Sequence, residues 1–124
     1  MLLAQVSLPI LLFLPHPSTT TLKGGTNAIK APVIDYAQLV FLPTLRRLTG
    51  VSVDCKLVRR GFFPKGGGVV ELNVSPVAGA LPAFTLVDRG AVIAVRGLAI
   101  VGGALELLMS VLTSVPNVCA LARH

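Results

Sequence analysis

Residues 51–74 read VSVDCKLVRRGFFPKGGGVVELNV and carry the clearest strand pattern in the chain. Its apolar positions alternate with more polar ones at both ends, which is typical of strands with one buried face. They are Val51, Val53, Cys55 and Leu57, then Val70, Leu72 and Val74. The stretch therefore predicts two antiparallel strands joined by a long loop, residues 59–68.

This loop holds three cations, two aromatic residues and four glycines in ten positions. Glycine lets backbone amides approach an anion closely, and Arg and Lys supply positive charge. The composition favours a phosphate-bearing partner, either a nucleotide or a nucleic-acid backbone, with Arg59, Arg60 and Lys65 as candidate contacts. A glycine-rich hairpin with solvated charges is the alternative, and composition alone leaves both open.

The N-terminal part predicts one helix and one short strand. Residues 2–14 form an apolar run that predicts a buried helix, although Pro9 is awkward inside one. Residues 19–22 are mostly β-branched and predict a strand. The strand leads into a Lys-Gly-Gly-Thr-Asn turn at residues 23–27.

A second helix is predicted from Pro32 to Leu48. Proline loses nothing in a first helical turn, because its missing amide would have no partner there. Pro43 is expected to kink this helix and Gly50 to end it. Three- and four-residue spacings predict its buried face: Tyr36, Val40, Phe41, Leu45 and Leu48.

The C-terminal part predicts a linker, a strand pair and a helix. Residues 75–80 are the linker, residues 84–87 and 91–96 are the strand pair, and residues 102–114 are the helix. Together the elements predict an α+β fold, with helices packed on one face of a mixed sheet.

Composition limits the kind of protein. Hydrophobic residues make up 53% of the 124 residues and charged residues 13%, with a mean hydropathy of +0.81. Soluble domains average about 25% charged residues, so an interior slice of a larger protein is favoured. Residues 1–14 lack the basic start of a signal peptide, and residues 91–122 contain no clean membrane span. A small secreted or membrane protein stays open on residues 1–14 alone.

The charge pattern points to an acidic partner. The net charge is +6, and residues 46–65 contain six of the eleven cations, opposed only by Asp54. Such a cluster suits a polyanion through salt-sensitive contacts, although a merely solvated basic face is equally compatible. Cys55 and Cys119 lie far apart, which favours a reducing compartment over a disulfide or metal site.

Four motifs together carry a resemblance to a known family. They are Leu22 to Ala28 (LKGGTNA), Ala31-Pro32 with Asp35-Tyr36, Arg60 to Gly68 (RGFFPKGGG) and Val74 to Val77 (VSPV). Each is weak alone, but their order and spacing make the chain resemble RNA 3′-terminal phosphate cyclases of the eukaryotic type. The resemblance runs from about Leu2 to about Gly103 and corresponds to roughly the middle third of a cyclase.

The resemblance implies an activity in RNA processing. Cyclases use ATP and a divalent metal (Mg or Mn) to convert an RNA 3′-phosphate into a 2′,3′-cyclic phosphate, through AMP carried on a histidine. It thus implies a ligase-class enzyme that acts in the nucleus. Its partners would be RNA 3′-phosphate ends, and neither DNA nor a membrane is expected. It also implies βαβαββ repeat units, incomplete here. Residues 1–103 would be a partial catalytic domain, and residues 104–124 the start of an insert or a divergent tail.

Two positions correspond individually to functional residues of the family. Gln5 matches a glutamine that approaches the nucleotide phosphates, a role suited to an uncharged hydrogen-bond donor. Pro32 matches a proline that packs flat against adenine. Arg59, Arg60 and Lys65 remain candidate RNA or phosphate contacts. Asp35 and Tyr36 are predicted to be a helix-start acid and a core aromatic residue.

No histidine of this sequence matches the nucleophilic histidine of the family. His16 and His124 lack its sequence context, so the chain alone is expected to be inactive, with no catalytic residue and no metal ligand of its own. A cyclase-like factor of ribosome biogenesis, which binds without cyclising, is the alternative. The pair Phe62-Phe63 favours the true cyclase.

Overall fold

The computed structural model describes residues 1–95, 97–98 and 100. Residues 1–85 form one compact unit, and the chain from residue 86 onward belongs to a second. None of the described residues from 84 onward lies in a helix or strand, so the strand pair predicted at residues 84–87 and 91–96 is wrong over residues 84–87 and 91–95. Among the described residues its β-branched side chains have no partner strand to pack beside, and Ile93 is 96% exposed. The helix predicted at residues 102–114 lies outside the described part.

The first unit contains the predicted helices and strands in the predicted order. In chain order they are α1 (Leu2–Leu12), β1 (Ser18–Gly24), α2 (Ile34–Tyr36), a π-helical segment (Ala37–Phe41), α3 (Leu42–Thr49), β2 (Val53–Arg59) and β3 (Gly68–Val74). Gly50 ends α3 in the left-handed conformation, and its amide donates to the Arg46 carbonyl at 2.8 Å. The prediction for Gly50 is thereby confirmed.

The three strands form a sheet in the order β1-β3-β2, and both pairings are antiparallel. The predicted pairing of β2 with β3 is confirmed, with Cys55 opposite Leu72. The register shifts between Leu57 and Arg59, which leaves Val58 as an extra residue just before the glycine-rich loop. Such a bulge turns the end of a strand, and the loop that follows it contacts the 23–27 turn.

The second helix is the continuous segment formed by α2, the π-helical segment and α3. It packs with α1 on one face of this sheet, which confirms the α+β prediction. Side chains from α1, from the second helix and from alternate strand positions form one buried cluster: Leu8, Leu12, Ile34, Leu42, Val51, Val53, Cys55, Val70, Leu72 and Val74. The alternation read from residues 51–74 therefore selects the residues of the core.

The buried face predicted for the second helix is largely wrong. Ile34, Ala37 and Leu42 are buried, whereas Tyr36 is 51% exposed. The step from Ala37 to Leu42 is five residues, because the π-helical segment adds a residue to that turn. The segment ends just before Pro43, whose missing amide disturbs the regular hydrogen bonding. The irregularity expected at Pro43 thus changes which side chains point inward.

No helix of the described residues has both the length and the apolar character that crossing a membrane requires.

Candidate functional site

A cavity between α1 and the second helix brings together Gln5 and Pro32. Its volume is about 290 Å³. The residues that line it come from α1, the turn before α2, the second helix and the sheet: Met1, Ala4, Gln5, Leu8, Pro32, Tyr36, Ala37, Phe41, Leu42, Cys55 and Leu72. The two residues that the resemblance assigns to ATP therefore share one cavity, and their roles there stay predictions.

The rim of this cavity is aromatic. Tyr36 and Phe41 line it and are 51% and 39% exposed. Tyr36 was predicted as a core aromatic residue, which is wrong. The π-helical segment separates these two side chains by five positions instead of the usual three or four, yet both line the same cavity. Sequence periodicity assigned Phe41 to the core, and only the nearby Pro43 signals the irregular turn.

Gln5 lies on α1, one turn before Pro9. A proline in a helix cannot donate to the carbonyl four residues earlier, so Pro9 leaves the Gln5 carbonyl without that partner. The Gln5 side chain is exposed. An amide side chain both donates and accepts. This part of α1 therefore offers a ligand both kinds of hydrogen-bonding group without adding charge.

The floor of the cavity is the sheet, at Cys55 and Leu72. Cys55 is a free thiol and is 6% exposed. Burial, assisted by the neighbouring carboxylate of Asp54, raises the pKa of this thiol. Because a raised pKa keeps the thiol protonated, Cys55 is a small apolar floor residue and a poor nucleophile.

The cavity suits a flat apolar group of about nucleobase size. Small-molecule sites span about 300–1,000 Å³, so a cavity of about 290 Å³ accepts the base of a nucleotide more readily than the whole molecule. Among the described residues, none of the lining side chains is Lys, Arg, Asp or Glu. Binding here would depend on packing against Pro32 and the aromatic rim, with phosphates left outside.

The three predicted RNA contacts do not line this cavity and have different surroundings. Lys65 is exposed near the tip of the glycine-rich loop. Arg59 is also exposed, and its Nε donates to the Gly67 carbonyl at 2.7 Å. Arg60 is mostly buried, with 11% of its side chain exposed. Lys65 and Arg59 are thus available to an anion, whereas Arg60 already has partners within the protein.

The main partner of Arg60 is Asp35. The two terminal nitrogens of Arg60 donate to the two carboxylate oxygens of Asp35 at 2.8 and 2.5 Å. Nη1 of Arg60 also lies 3.3 Å from the Asn27 side-chain oxygen. The hydrogen bond and charge of Arg60 hold the pKa of Asp35 below its ordinary value of 3.8, against the opposing effect of burial. Bidentate pairing of this kind fixes both distance and orientation. Sequence analysis missed it, since the residues are 25 positions apart.

The glycine-rich loop packs tightly against the 23–27 turn. The Thr26 amide donates to the Gly61 carbonyl at 2.8 Å, and the Gly61 amide donates to the Thr26 hydroxyl at 3.0 Å. A Cβ on Gly61 would lie 2.2 Å from the Gly68 nitrogen and 2.7 Å from the Gly24 oxygen. Close backbone approach therefore explains at least part of the glycine content, independent of any phosphate.

The described residues do not fit a resident divalent metal. They include no group of three or more His, Cys, Asp or Glu side chains close enough to hold one. The metal implied by the resemblance has no such ligand set in the described part of the chain.

Comparison with known proteins gives a consistent result. Residues 1–120 match the family model described as RNA 3′-terminal phosphate cyclase. The chain is 45% identical over 91 residues to a Dictyostelium discoideum protein named as a probable RNA 3′-terminal phosphate cyclase, covering 73% of this chain and 21% of that protein. It is 41% identical over 110 residues to the RNA 3′-terminal phosphate cyclase of Drosophila melanogaster, covering 89% and 30%.

A protein of the same name from Ralstonia nicotianae is 39% identical over 128 aligned positions, covering 99% of this chain and 37% of that protein. The chain thus spans between about a fifth and somewhat over a third of the length of these relatives.

Proposed function

Because the chain belongs to the RNA 3′-terminal phosphate cyclase family, we propose that it forms the adenine-binding part of an ATP-dependent cyclase. The observation that carries the proposal is the shared cavity of Gln5 and Pro32. The resemblance assigns both residues to ATP, and they lie on different elements. Their presence in one cavity with an aromatic rim supports a nucleobase site.

In this proposal each wall of the cavity has one role. The Pro32 ring packs against one face of the adenine, with Tyr36 and Phe41 at the rim. The side-chain amide of Gln5 donates toward the phosphates. ATP supplies the AMP group that activates an RNA 3′-phosphate in the complete enzyme.

The remaining features of the activity are part of the same proposal. The substrate is an RNA end bearing a 3′-phosphate, and the product is its 2′,3′-cyclic phosphate. The exposed Arg59 and Lys65 are the better candidates for RNA phosphate contacts. The eukaryotic type, the middle-third position and the nuclear location remain predictions, since a bacterial relative such as that of Ralstonia nicotianae matches over most of the chain.

The chain alone is proposed to bind ATP without turning it over. His16 is exposed in a Pro-His-Pro turn and is not among the residues that line the cavity. Incubation with ATP labelled in the α-phosphate should therefore leave the protein unlabelled after denaturation. Labelled protein would contradict this part of the proposal.

Calorimetric titration of the 124-residue chain with ATP and with adenosine tests the proposal. Both should bind, and Pro32→Ala should weaken both by at least about fivefold, because each loses the same apolar contact. Pro17→Ala is the matched control, since Pro17 is exposed and does not line the cavity. Absence of ATP binding, with retained binding of RNA, would instead support the non-catalytic cyclase-like factor.

A further inference from the structure

The segment that carries Pro32, residues 27–33, is weakly held and lies between two firmly held residues, Thr26 and Asp35. Ile29 in this segment is 84% exposed, and Lys30 has a positive φ of 64°. Among the described residues, its one internal backbone hydrogen bond runs from the Ala31 amide to the Ala28 carbonyl at 3.3 Å. Pro32 itself has no amide to donate. The position of its ring therefore depends on what holds the two ends of the segment.

The glycine-rich loop and the start of the second helix hold the first end. Thr26 is 2% exposed, and it exchanges hydrogen bonds with Gly61. The Thr26 carbonyl also accepts from the Ile34 amide at 3.0 Å. The turn, the loop and the start of the second helix thus meet at one buried threonine.

The Arg60–Asp35 pair holds the second end. Asp35 comes three residues after Pro32, and its carboxylate receives both terminal nitrogens of Arg60. The Arg60 Nε is buried and has no partner among the described residues. An unmade hydrogen bond in a buried guanidinium is unfavourable. The Arg60 side chain keeps this orientation because the bidentate pair with Asp35 outweighs the loss of the Nε hydrogen bond.

Resting on the proposed function, we propose that Arg60 and Asp35 are positioning residues that fix Pro32 in the adenine cavity, and that Arg60 is not an RNA contact. Arg60 is hydrogen-bonded on the protein side through both terminal nitrogens. The basic loop then has two roles: Arg59 and Lys65 face solvent, while Arg60 connects the loop to the nucleotide site.

Titrations of folded variants with ATP and with a short 3′-phosphorylated RNA test this proposal. Arg60→Gln and Asp35→Asn should each weaken ATP binding by about tenfold, by analogy with residues that support metal ligands. RNA binding should stay within about twofold of wild type. Arg59→Gln, which removes the same charge from the neighbouring position, should show the opposite pattern.

Arg60→Lys separates geometry from charge. Lysine keeps the positive charge but loses the fork that matches a carboxylate, so it should weaken ATP binding about as much as Arg60→Gln. The double variant Asp35→Asn with Arg60→Gln leaves no lone buried charge. It should bind ATP no more weakly than either single variant. Glu71→Gln, which breaks the exposed Lys56–Glu71 pair (3.5 Å), is the control for loss of an ion pair.

Each outcome decides the inference. If the wild-type chain does not bind ATP, the proposed function fails and the inference fails with it. If the wild type binds ATP and the Arg60 and Asp35 variants, shown to be folded by circular dichroism, bind it equally well, the positioning role alone is overturned. Reduced RNA binding by Arg60→Gln with unchanged ATP binding would also overturn it.

Discussion

Gln5 and Pro32 lie 27 positions apart in the chain and line the same cavity, one from α1 and the other from the turn before α2. The relationship depends on the packing of two helices on one face of the sheet. It also brings an uncharged amide and a flat apolar ring to the lining of one space of about nucleobase size.

Gln5→Glu should weaken ATP binding far more than adenosine binding. A carboxylate about 6 Å from a phosphate, at an effective dielectric constant near 20, opposes binding by about 3 kcal/mol, whereas adenosine has no phosphate to repel. Gln5→Leu removes only the hydrogen bond, about 1 kcal/mol, from ATP. Parallel titrations measure the difference. Equal losses for ATP and adenosine in Gln5→Glu would place the phosphates elsewhere.

Bound ATP should protect Cys55 from thiol reagents. The thiol lies on the cavity floor and reacts slowly at pH 7 because burial raises its pKa. Alkylation followed by mass spectrometry, in a Cys119→Ser background, should show a rate that falls further as ATP is added. An ATP-independent rate would mean that the ligand does not cover the floor.

Gly61→Ala should destabilise the fold strongly, whereas Gly25→Ala should be nearly neutral. A Cβ on Gly61 would lie 2.2 Å from a backbone nitrogen, while on Gly25 the nearest atom is a methyl group at 3.6 Å. Overpacking costs about 1–3 kcal/mol, and a clash with backbone belongs at the upper end. Urea unfolding followed by circular dichroism measures both. Similar midpoints for the two variants would contradict the close packing described here.

The Arg60–Asp35 pair should make stability depend on pH in the acid range. Because the folded-state pKa of Asp35 is lowered, the ionised carboxylate stabilises the folded state. This contribution to the free energy of unfolding is complete above about pH 3.8 and is lost as the pH falls through the folded-state pKa. Asp35→Asn should therefore lower the free energy of unfolding by about 3 kcal/mol at pH 7, and by progressively less below pH 3.8. Asp54→Asn, at an exposed position, is the control. A pH-independent difference would contradict this account.

The sequence predicted the parts of the fold that depend on local pattern. Alternation in residues 51–74 identified the core face of β2 and β3, and Gly50 marked a helix end. The helix face containing Tyr36 and Phe41 was misassigned, because one extra residue in a π-helical turn changes the phase of everything after it. The strand pair predicted at residues 84–87 and 91–96 did not form over the described residues, because a strand requires a partner strand that a local pattern does not reveal.

For the candidate site, the resemblance identified Gln5 and Pro32 among the residues that line the cavity, and composition identified the candidate loop contacts. Arg60 shows the limit of composition: an arginine in a glycine-rich basic loop has the same sequence context whether it meets RNA or a buried carboxylate. Only the three-dimensional contact with Asp35 separates the two.

Photolabelling with 8-azido-ATP, followed by peptide mapping, tests the location of the adenine most directly. The labelled residues should lie within 32–41 or on α1 near Gln5, and the labelling should be lost when excess ATP competes. Labelling confined to the glycine-rich loop, residues 59–68, would contradict it, because the base would then lie outside the cavity that Gln5 and Pro32 share.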